Sequence, residues 1–304
     1  MEKYETQSNR PFEMSTITTR LMIISDTHNF EFGNAEKYGG TFVQPTPKCD
    51  VLLHCGDHTM IGGMSDYKKS IRMLASIDAE LKLVIAGNHD RDLDPQYDQL
   101  PEYFDQEVQD EHELAVALWR GPLAEAAGIT YLEEGLNTFE LKNGATFTIY
   151  TSPYQSEFCQ WAFPYERDED RFNPADKVPP GVKCITKNPI PDFPNIDIIM
   201  THGPPNKILD WTPSGRVGCR ALMRAVSRAQ PKLYCFGHIH EAYGMELVSW
   251  KDDKSLIGQT AVEEKVAHKN EYPNASSWSI SHGEETLMVN AAIMDLKYKP
   301  TNSP

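Results

Sequence analysis

Leu83-Val84-Ile85-Ala86-Gly87-Asn88-His89-Asp90 is the stretch on which the reading of this chain turns. A short, unbroken apolar run has the length of a buried strand, and here it stops at a glycine turn. Three side chains able to do metal or proton chemistry follow at once. Asn88 offers a neutral oxygen to a cation, and His89 can take or give a proton near neutral pH. Alone, such a segment is an ordinary polar turn. Its weight comes from recurrence.

Working outward, the same layout appears four more times. Arg20 to Ile24 reads as a strand ending in Ser25-Asp26-Thr27-His28, and Asp50 to Cys55 as a strand ending in Gly56-Asp57-His58. Ile196 to Met200 ends in Thr201-His202-Gly203, and Lys232 to Phe236 ends in Gly237-His238-Ile239-His240. Between the second and third strands, Met64 to Glu80 places Ile71, Leu74 and Ile77 at helical spacing, with Ser65 or Asp66 at the N-cap position. Asp92 to Gly128 reads as acidic and helical, and Gly218 to Ala229 as a further helix. Strands alternating with helices predict an α/β chain built on parallel strands with helical crossovers. In such sheets sites form beyond the carboxyl ends of the strands. Five of the ten histidines (His28, His89, His202, His238 and His240) stand at those ends. His54, His58, His112, His268 and His282 do not share that placement and read as structural or surface residues.

The middle of the chain changes character. Ile129 to Leu132 reads as a strand, and Thr138 to Leu141 and Ala145 to Tyr150 flank Lys142-Asn143-Gly144, an Asn-Gly signal for an antiparallel hairpin. Residues 151–195 hold eight of the 21 prolines and seven large aromatics. The aromatics argue against a solvated linker, and two readings stand: a loop folded over the mouth of the site, or a loop packed on the surface. Met245 to Trp250 and Leu287 to Ile293 read as late strands, separated by a polar excursion at 251–285. Residues 1–16 read as a loose tail, leaving 17–298 as one expected domain.

Composition narrows the function classes. The chain has 304 residues, 40% hydrophobic and 24% charged, enough for a large core. A formal net charge of −15 disfavours a broad electrostatic grip on long nucleic acid or on an anionic membrane. No apolar stretch approaches the roughly 20 residues that span a bilayer, and Met1 to Thr16 lacks a basic-then-apolar signal pattern. Cys49, Cys55, Cys159, Cys184, Cys219 and Cys235 have no C-x-x-C spacing and read as reduced thiols. The expected compartment is the cytoplasm, which makes the sequon at Asn274 a chance match.

Asp, Asn and His together form a borderline-to-hard donor set that suits Mn, Fe or Zn. The set is large enough for two cations, which in phosphoester hydrolysis stand about 3.5–4 Å apart and clamp the attacking and leaving oxygens. The ordered series D-x-H, G-D, G-N-H-D, H-G and G-H-x-H, over roughly residues 20–245, resembles the calcineurin-like metallophosphoesterase superfamily. Thr151-Ser152-Pro153-Tyr154-Gln155, Trp161-Ala162-Phe163, Thr201-His202-Gly203-Pro204-Pro205 and Phe236-Gly237-His238-Ile239-His240-Glu241 further resemble its eukaryotic metallophosphoesterase-domain (MPPED-like) branch, which is similar to class III cyclic-nucleotide phosphodiesterases.

The resemblance implies a four-layer α/β/β/α sandwich with two divalent or mixed-valence metal ions at its rim. It implies Asp26, His28, Asp57 and His240 on one metal, and Asp57, Asn88, His202 and His238 on the other, with Asp57 bridging. His89 matches the non-ligand catalytic histidine, and Asp90 is an expected orienting residue behind the histidines. Many phosphatases of the superfamily carry Asp three residues after the G-D aspartate. Met60 stands there in this chain, so the motif does not say what orients His89. The implied activity is hydrolysis of a small phosphodiester, a cyclic nucleotide being one example, by a hydroxide shared between the metals. A phosphomonoesterase and a non-catalytic metal-binding scaffold are the rivals. The expected partner is the small phosphoester itself, rather than long nucleic acid or membrane, and a homodimer stays open.

Overall fold

The structure, a computed structural model, describes residues 17–33, 35–97, 106–253 and 255–304. The expected tail at 1–16, and residues 98–105 of the region expected to be helical, lie outside the described residues. Two sheets dominate. The first is four-stranded and parallel, with β1 (Leu21–Ile24), β2 (Cys49–His54), β3 (Ala79–Val84) and β4 (Ile129–Tyr131) side by side in chain order.

The second sheet has seven strands: β5 (Gly135–Glu140), β6 (Thr146–Ser152), β7 (Ile198–Thr201), β8 (Leu233–Phe236), β9 (Gly244–Trp250), β10 (Val262–His268) and β11 (Glu285–Asn290). Their order is β10-β9-β11-β8-β7-β6-β5. β6, β7, β8 and β11 run parallel at its centre, with β5 antiparallel at one edge and β9 and β10 antiparallel at the other.

Strand alternation explains the layering. On β2, Val51 and Leu53 face one way and Leu52 the other, and all three are fully buried. Val51, Leu53, Leu83 and Ile85 pack against Ile149, Met200, Leu233 and Cys235 of the second sheet, forming the inner core. Leu52, Ile24 and Val84 face the opposite side, against α1 (Met64–Ala75) and α2 (Gln106–Arg120) through Tyr67, Ile71, Leu74 and Trp119. A short helix α3 (Pro122–Ala126) follows α2, with Ala124 in the same cluster. α4 (Arg220–Ala229) covers the far face of the second sheet, with Leu222, Met223 and Val226 against Tyr150, Ile199, Tyr234 and Phe236. The result is the expected α/β/β/α sandwich. Strands buried on both faces need unbroken apolar runs, which is why these segments are readable from sequence.

Several boundaries differ from expectation. α1 stops at Ala75, where Ser76 Oγ donates to the Met73 carbonyl, and Ala79 and Glu80 already belong to β3. Neither Ser65 nor Asp66 caps it: the N-cap is Gly63, at φ 95°, and the Asp66 carboxylate instead takes bonds from Asn29 and Lys69. The polar excursion at 251–285 contains β10. Glu263, Glu264 and Lys265 lie on this edge strand, and charge is how exposed sheet edges avoid further pairing, so its composition hid it from periodicity. All six cysteines are free thiols. No helix among the described residues is long and apolar enough to cross a membrane.

At one rim the two sheets are tied together. Ser25, just beyond β1, bridges Ala292, just beyond β11, through Ser25 N to Ala291 O (2.9 Å) and Ile293 N to Ser25 O (3.0 Å). The carboxyl ends of β1, β2, β3, β7 and β8 carry their loops at this rim, where the loop residues hydrogen-bond from strand to strand.

Candidate metal centre

Each loop is buckled to the next by backbone bonds. The loop after β1 binds the loop after β2 through Asp26 N to Gly56 O (2.9 Å) and His28 N to Asp57 O (3.1 Å). The Asp26 carboxylate accepts from His238 N at 2.9 and 3.1 Å, which draws in the loop after β8. Asp26, His28, Asp57 and His238 all have left-handed backbones, with φ of 53°, 39°, 58° and 68°. That conformation costs a non-glycine residue of order 1–3 kcal/mol and persists where the surroundings over-determine it. Two motif glycines are there for space. A Cβ on Gly87 would strike Asp57 Oδ1 and the His202 ring, and one on Gly237 would strike Ser25 and Asp26.

These loops bring all seven expected ligands together. Asp26, His28 and His240 form one tight group, and Asp57, His202 and His238 another, while Asp57 also groups with His28 and His89. His240 Nε2 lies 3.3 Å from Asp26 Oδ1, and His28 Nε2 lies 3.6 Å from Asp57 Oδ2. On the other side His202 Nε2 is 3.4 Å from Asp57 Oδ1 and 2.8 Å from Asn88 Oδ1. Two atoms that each bind a cation at about 2.1 Å stand roughly 3.0–3.4 Å apart at octahedral to tetrahedral angles, close to these spacings. Asp57 presents one oxygen to each side.

The tautomers show that the donors fit cations. His28 Nδ1 meets Thr59 O at 3.0 Å, His202 Nδ1 meets Cys55 O at 2.8 Å and His240 Nδ1 meets Asp295 O at 3.2 Å. A carbonyl only accepts, so each Nδ1 carries the hydrogen and Nε2 is the nitrogen that each ring turns into the cluster. His28 Nε2 and His240 Nε2 then face each other at 3.3 Å. Such an arrangement is repulsive unless a proton or a cation lies between.

The charges agree. Burial lowers a histidine's pKa, and it takes His28 down to about 4 and His238 to about 3. At His202 and His240 burial is outweighed by the Asp57 and Asp26 carboxylates, and both rise to about 9. Burial also opposes ionisation of the carboxyls, yet His240 and His202 hold Asp26 near 2, and His202, His28 and His89 hold Asp57 well below the usual range. The rim attracts positive charge.

His89 sits at the edge of the cluster. Its Nδ1 is 2.6 Å from the Met60 carbonyl, its backbone N–H donates to Asp57 Oδ1 (2.8 Å), and its ring stacks on Trp161 with centroids 4.0 Å apart. A carbonyl and an indole hold the ring where the motif offered no carboxylate. Asp90 differs from its expected place behind a histidine ring. Its buried carboxylate accepts from the backbone N–H of Gly87, His58 and Thr59 and from the Thr59 hydroxyl, pinning the loop after β2 to the loop after β3. Burial and the nearby Asp57 push its pKa up to about 7.

Residues 151–195 divide in two. The first part borders the site through Trp161 and through Ala162 N to Asn88 O (3.3 Å). The second packs on α4, with Phe172 and Ile190 in the outer core and Asp170 paired to Arg224 at 2.8 Å. In the sequence Trp161 stood among many aromatics and in a segment that carried the family resemblance, neither of which placed it on His89. Asp295 and Tyr298, which touch His240 and His28, gave no signal at all.

Residues 19–242 match the calcineurin-like phosphoesterase family. The chain belongs to it. It is 34% identical over 234 residues to metallophosphoesterase domain-containing protein 1 of Homo sapiens and to the protein of the same name from Mus musculus, covering 75% of this chain and 62% of each relative. The match thus spans less than two thirds of those relatives. A protein of Emericella nidulans described as probable rhamnogalacturonate lyase C is 29% identical over 91% of this chain and 23% of its own length. Among solved structures, phosphopantetheinyl hydrolase of Mycobacterium tuberculosis aligns with a TM-score of 0.43 at 14% identity, covering 85% of this chain and 98% of that one. The metallophosphoesterase membership accords with the sandwich and with the clustered Asp and His donors at its rim.

Proposed function

We propose that this phosphoesterase-family protein hydrolyses a small phosphodiester with two divalent metal ions. Asp26, His28, Asp57 and His240 would hold one ion, and Asp57, Asn88, His202 and His238 the other. The observation that carries the reading is the set of converging Nε2 and carboxylate atoms at 3.3–3.6 Å, with three of the rings locked through Nδ1 to carbonyls. Nitrogen and oxygen donors of this kind select Mn, Fe or Zn. Bound there, such ions neutralise phosphate charge and make water nucleophilic near neutral pH.

The chain's own residues supply the rest. With Nδ1 committed to Met60 O, His89 has Nε2 left to hold a proton for the leaving oxygen. Trp161 covers one face of that ring and limits water there. Among the described residues, no Lys or Arg side chain hydrogen-bonds or ion-pairs to the seven donors or to His89, which favours a singly charged diester over a dianionic monoester. Cyclic nucleotides are one member of the diester class. The free thiols make the cytoplasm the proposed compartment.

The test is elemental analysis of the manganese-reconstituted protein beside hydrolysis of bis-p-nitrophenyl phosphate and p-nitrophenyl phosphate. About two metals per chain and faster cleavage of the diester are expected. Asp57→Ala should lose both metals and lose activity by more than the about 10–100-fold that outer-sphere changes cost. Hydrolysis that survives metal removal would sink the reading. Faster monoester cleavage would favour the phosphomonoesterase, and two metals with neither ester cleaved would favour the scaffold.

A further inference from the structure

Beside the metal cluster lies a cavity of about 200 Å³ lined by Asn29, Phe30, Tyr38, Met294 and Tyr298, which shares His28 with the cluster. It is smaller than the roughly 300–1,000 Å³ of sites that enclose a whole drug-sized ligand, so it suits one fragment of an ester. Two exposed aromatic rings, Tyr38 and Tyr298, line it beside polar atoms that make up more of its surface. The C-terminal turn that contributes Tyr298 and Met294 lies beyond residues 19–242, the span that matches the family.

That turn is tightly built. Asp295 N donates to Lys299 O (2.8 Å), Tyr298 N donates to Asp295 O (2.9 Å), and the Asp295 carboxylate accepts from the backbone of Lys297 (2.7 Å) and Lys299 (2.9 Å). Downstream, Asn302 Nδ2 donates to Ala292 O and Asn270 Nδ2 donates to Pro304 O, clamping the segment to the rim. The turn holds Tyr298 at φ 53°, a left-handed conformation uncommon for a bulky residue. Tyr298 is not placed for burial, since it stays 43% exposed. Its ring lies edge-on to His28 at 4.8 Å and to His240 at 5.5 Å. Opposite, Phe30 packs in a cluster with Phe32 and Phe42, which fixes that wall. Asn29 lines the same cavity, with its amide nitrogen tied to the Asp66 carboxylate (2.8 Å). A strained, half-exposed aromatic residue held against two members of the metal cluster needs a contact to explain it, and the adjoining cavity shows where that contact would be.

We propose that this cavity is a subsite for a planar ring carried by the phosphoester, with Tyr298 as the residue that selects for it. The inference rests on the phosphoesterase reading, because the phosphate must sit on the metal cluster for its substituent to reach Tyr298. An aromatic pair adds about 2- to 12-fold to binding beyond the burial of area.

The test uses two phosphonates that cannot be hydrolysed and that bear the same head group, phenylphosphonate and methylphosphonate. Their binding to the full-length, manganese-loaded protein is measured by calorimetry together with metal content. The wild type should bind phenylphosphonate several-fold more tightly. Tyr298→Ala should bring the ratio close to one while leaving methylphosphonate affinity and metal content as they were, and Tyr298→Phe should keep the preference. A ratio unchanged in Tyr298→Ala overturns the subsite. So does an equal loss for both phosphonates or a loss of metal, since Tyr298 would then only be supporting His28 and His240. If neither phosphonate binds the metal-loaded wild type but bis-p-nitrophenyl phosphate is still cleaved, the subsite alone falls; if that cleavage is absent too, the phosphoesterase reading fails and takes the subsite with it.

Discussion

Two groups of buried histidines feel the same Asp57 carboxylate and do opposite things. His54 and His58 stack on each other behind Asp57 with centroids 3.9 Å apart. Both of their ring nitrogens are used inside the protein. His54 Nδ1 accepts from Gly56 N and its Nε2 meets the Thr27 hydroxyl, while His58 bonds the Ile85 carbonyl and the Ser70 hydroxyl. His28, His202 and His240 each give one nitrogen to a carbonyl and turn the other toward carboxylates and fellow imidazoles. Burial is common to all five. It keeps His54 and His58 neutral, with His58 near 3, whereas the Asp57 and Asp26 carboxylates carry His202 and His240 to about 9. What separates a structural histidine from a ligand-type one is therefore the partner of its second nitrogen.

That contrast can be broken by mutation. His240→Ala is expected to weaken metal binding by more than about 100-fold, beyond the range of outer-sphere changes, as read by titration with manganese. Full metal occupancy in that variant would remove His240 from the ligand set. His89→Ala should keep both metals and lose about 10²–10⁴-fold in kcat for diester cleavage, the usual contribution of a positioned acid. If metal content falls instead, His89 belongs with the ligands. His58→Ala should show the reverse pattern. It leaves the Ile85 carbonyl and Ser70 short of a partner, costing about 1–3 kcal/mol in denaturant unfolding, with metals per chain unchanged. Loss of metal there would erase the contrast. The smallest effect is expected from Met60→Ala. His89 uses only the Met60 carbonyl, so activity should stay within about 2-fold, as for a change of about 0.5 kcal/mol.

Asp90 shows how a correct location can come with the wrong partners. Its place after Asn88-His89 suggested a carboxylate behind a histidine, yet its four hydrogen bonds go to Gly87, His58 and Thr59. It acts through the loops that carry Asp57 and Asn88. No local pattern distinguishes an aspartate that holds a ring from one that holds a turn, because the difference is set by a loop some thirty residues away. Residues 251–285 failed for another reason: an edge strand has one neighbour and a solvated flank, so it needs no apolar alternation, and β10 reads as loop.

The sequence by itself determined the sandwich core and the cluster at its rim. Strands buried on both faces must be unbroken apolar runs, and five such runs end in Asp, Asn or His one to four residues later, which fixes where those side chains gather. Tertiary structure alone decided what each of them touches. The carbonyl that locks His240 comes from Asp295, the indole that covers His89 comes from Trp161, and the ring against His28 comes from Tyr298. These partners are distant along the chain and are brought in by loops and by the C-terminal turn. Periodicity records which face a residue buries, and it carries no trace of which distant backbone will arrive to meet it.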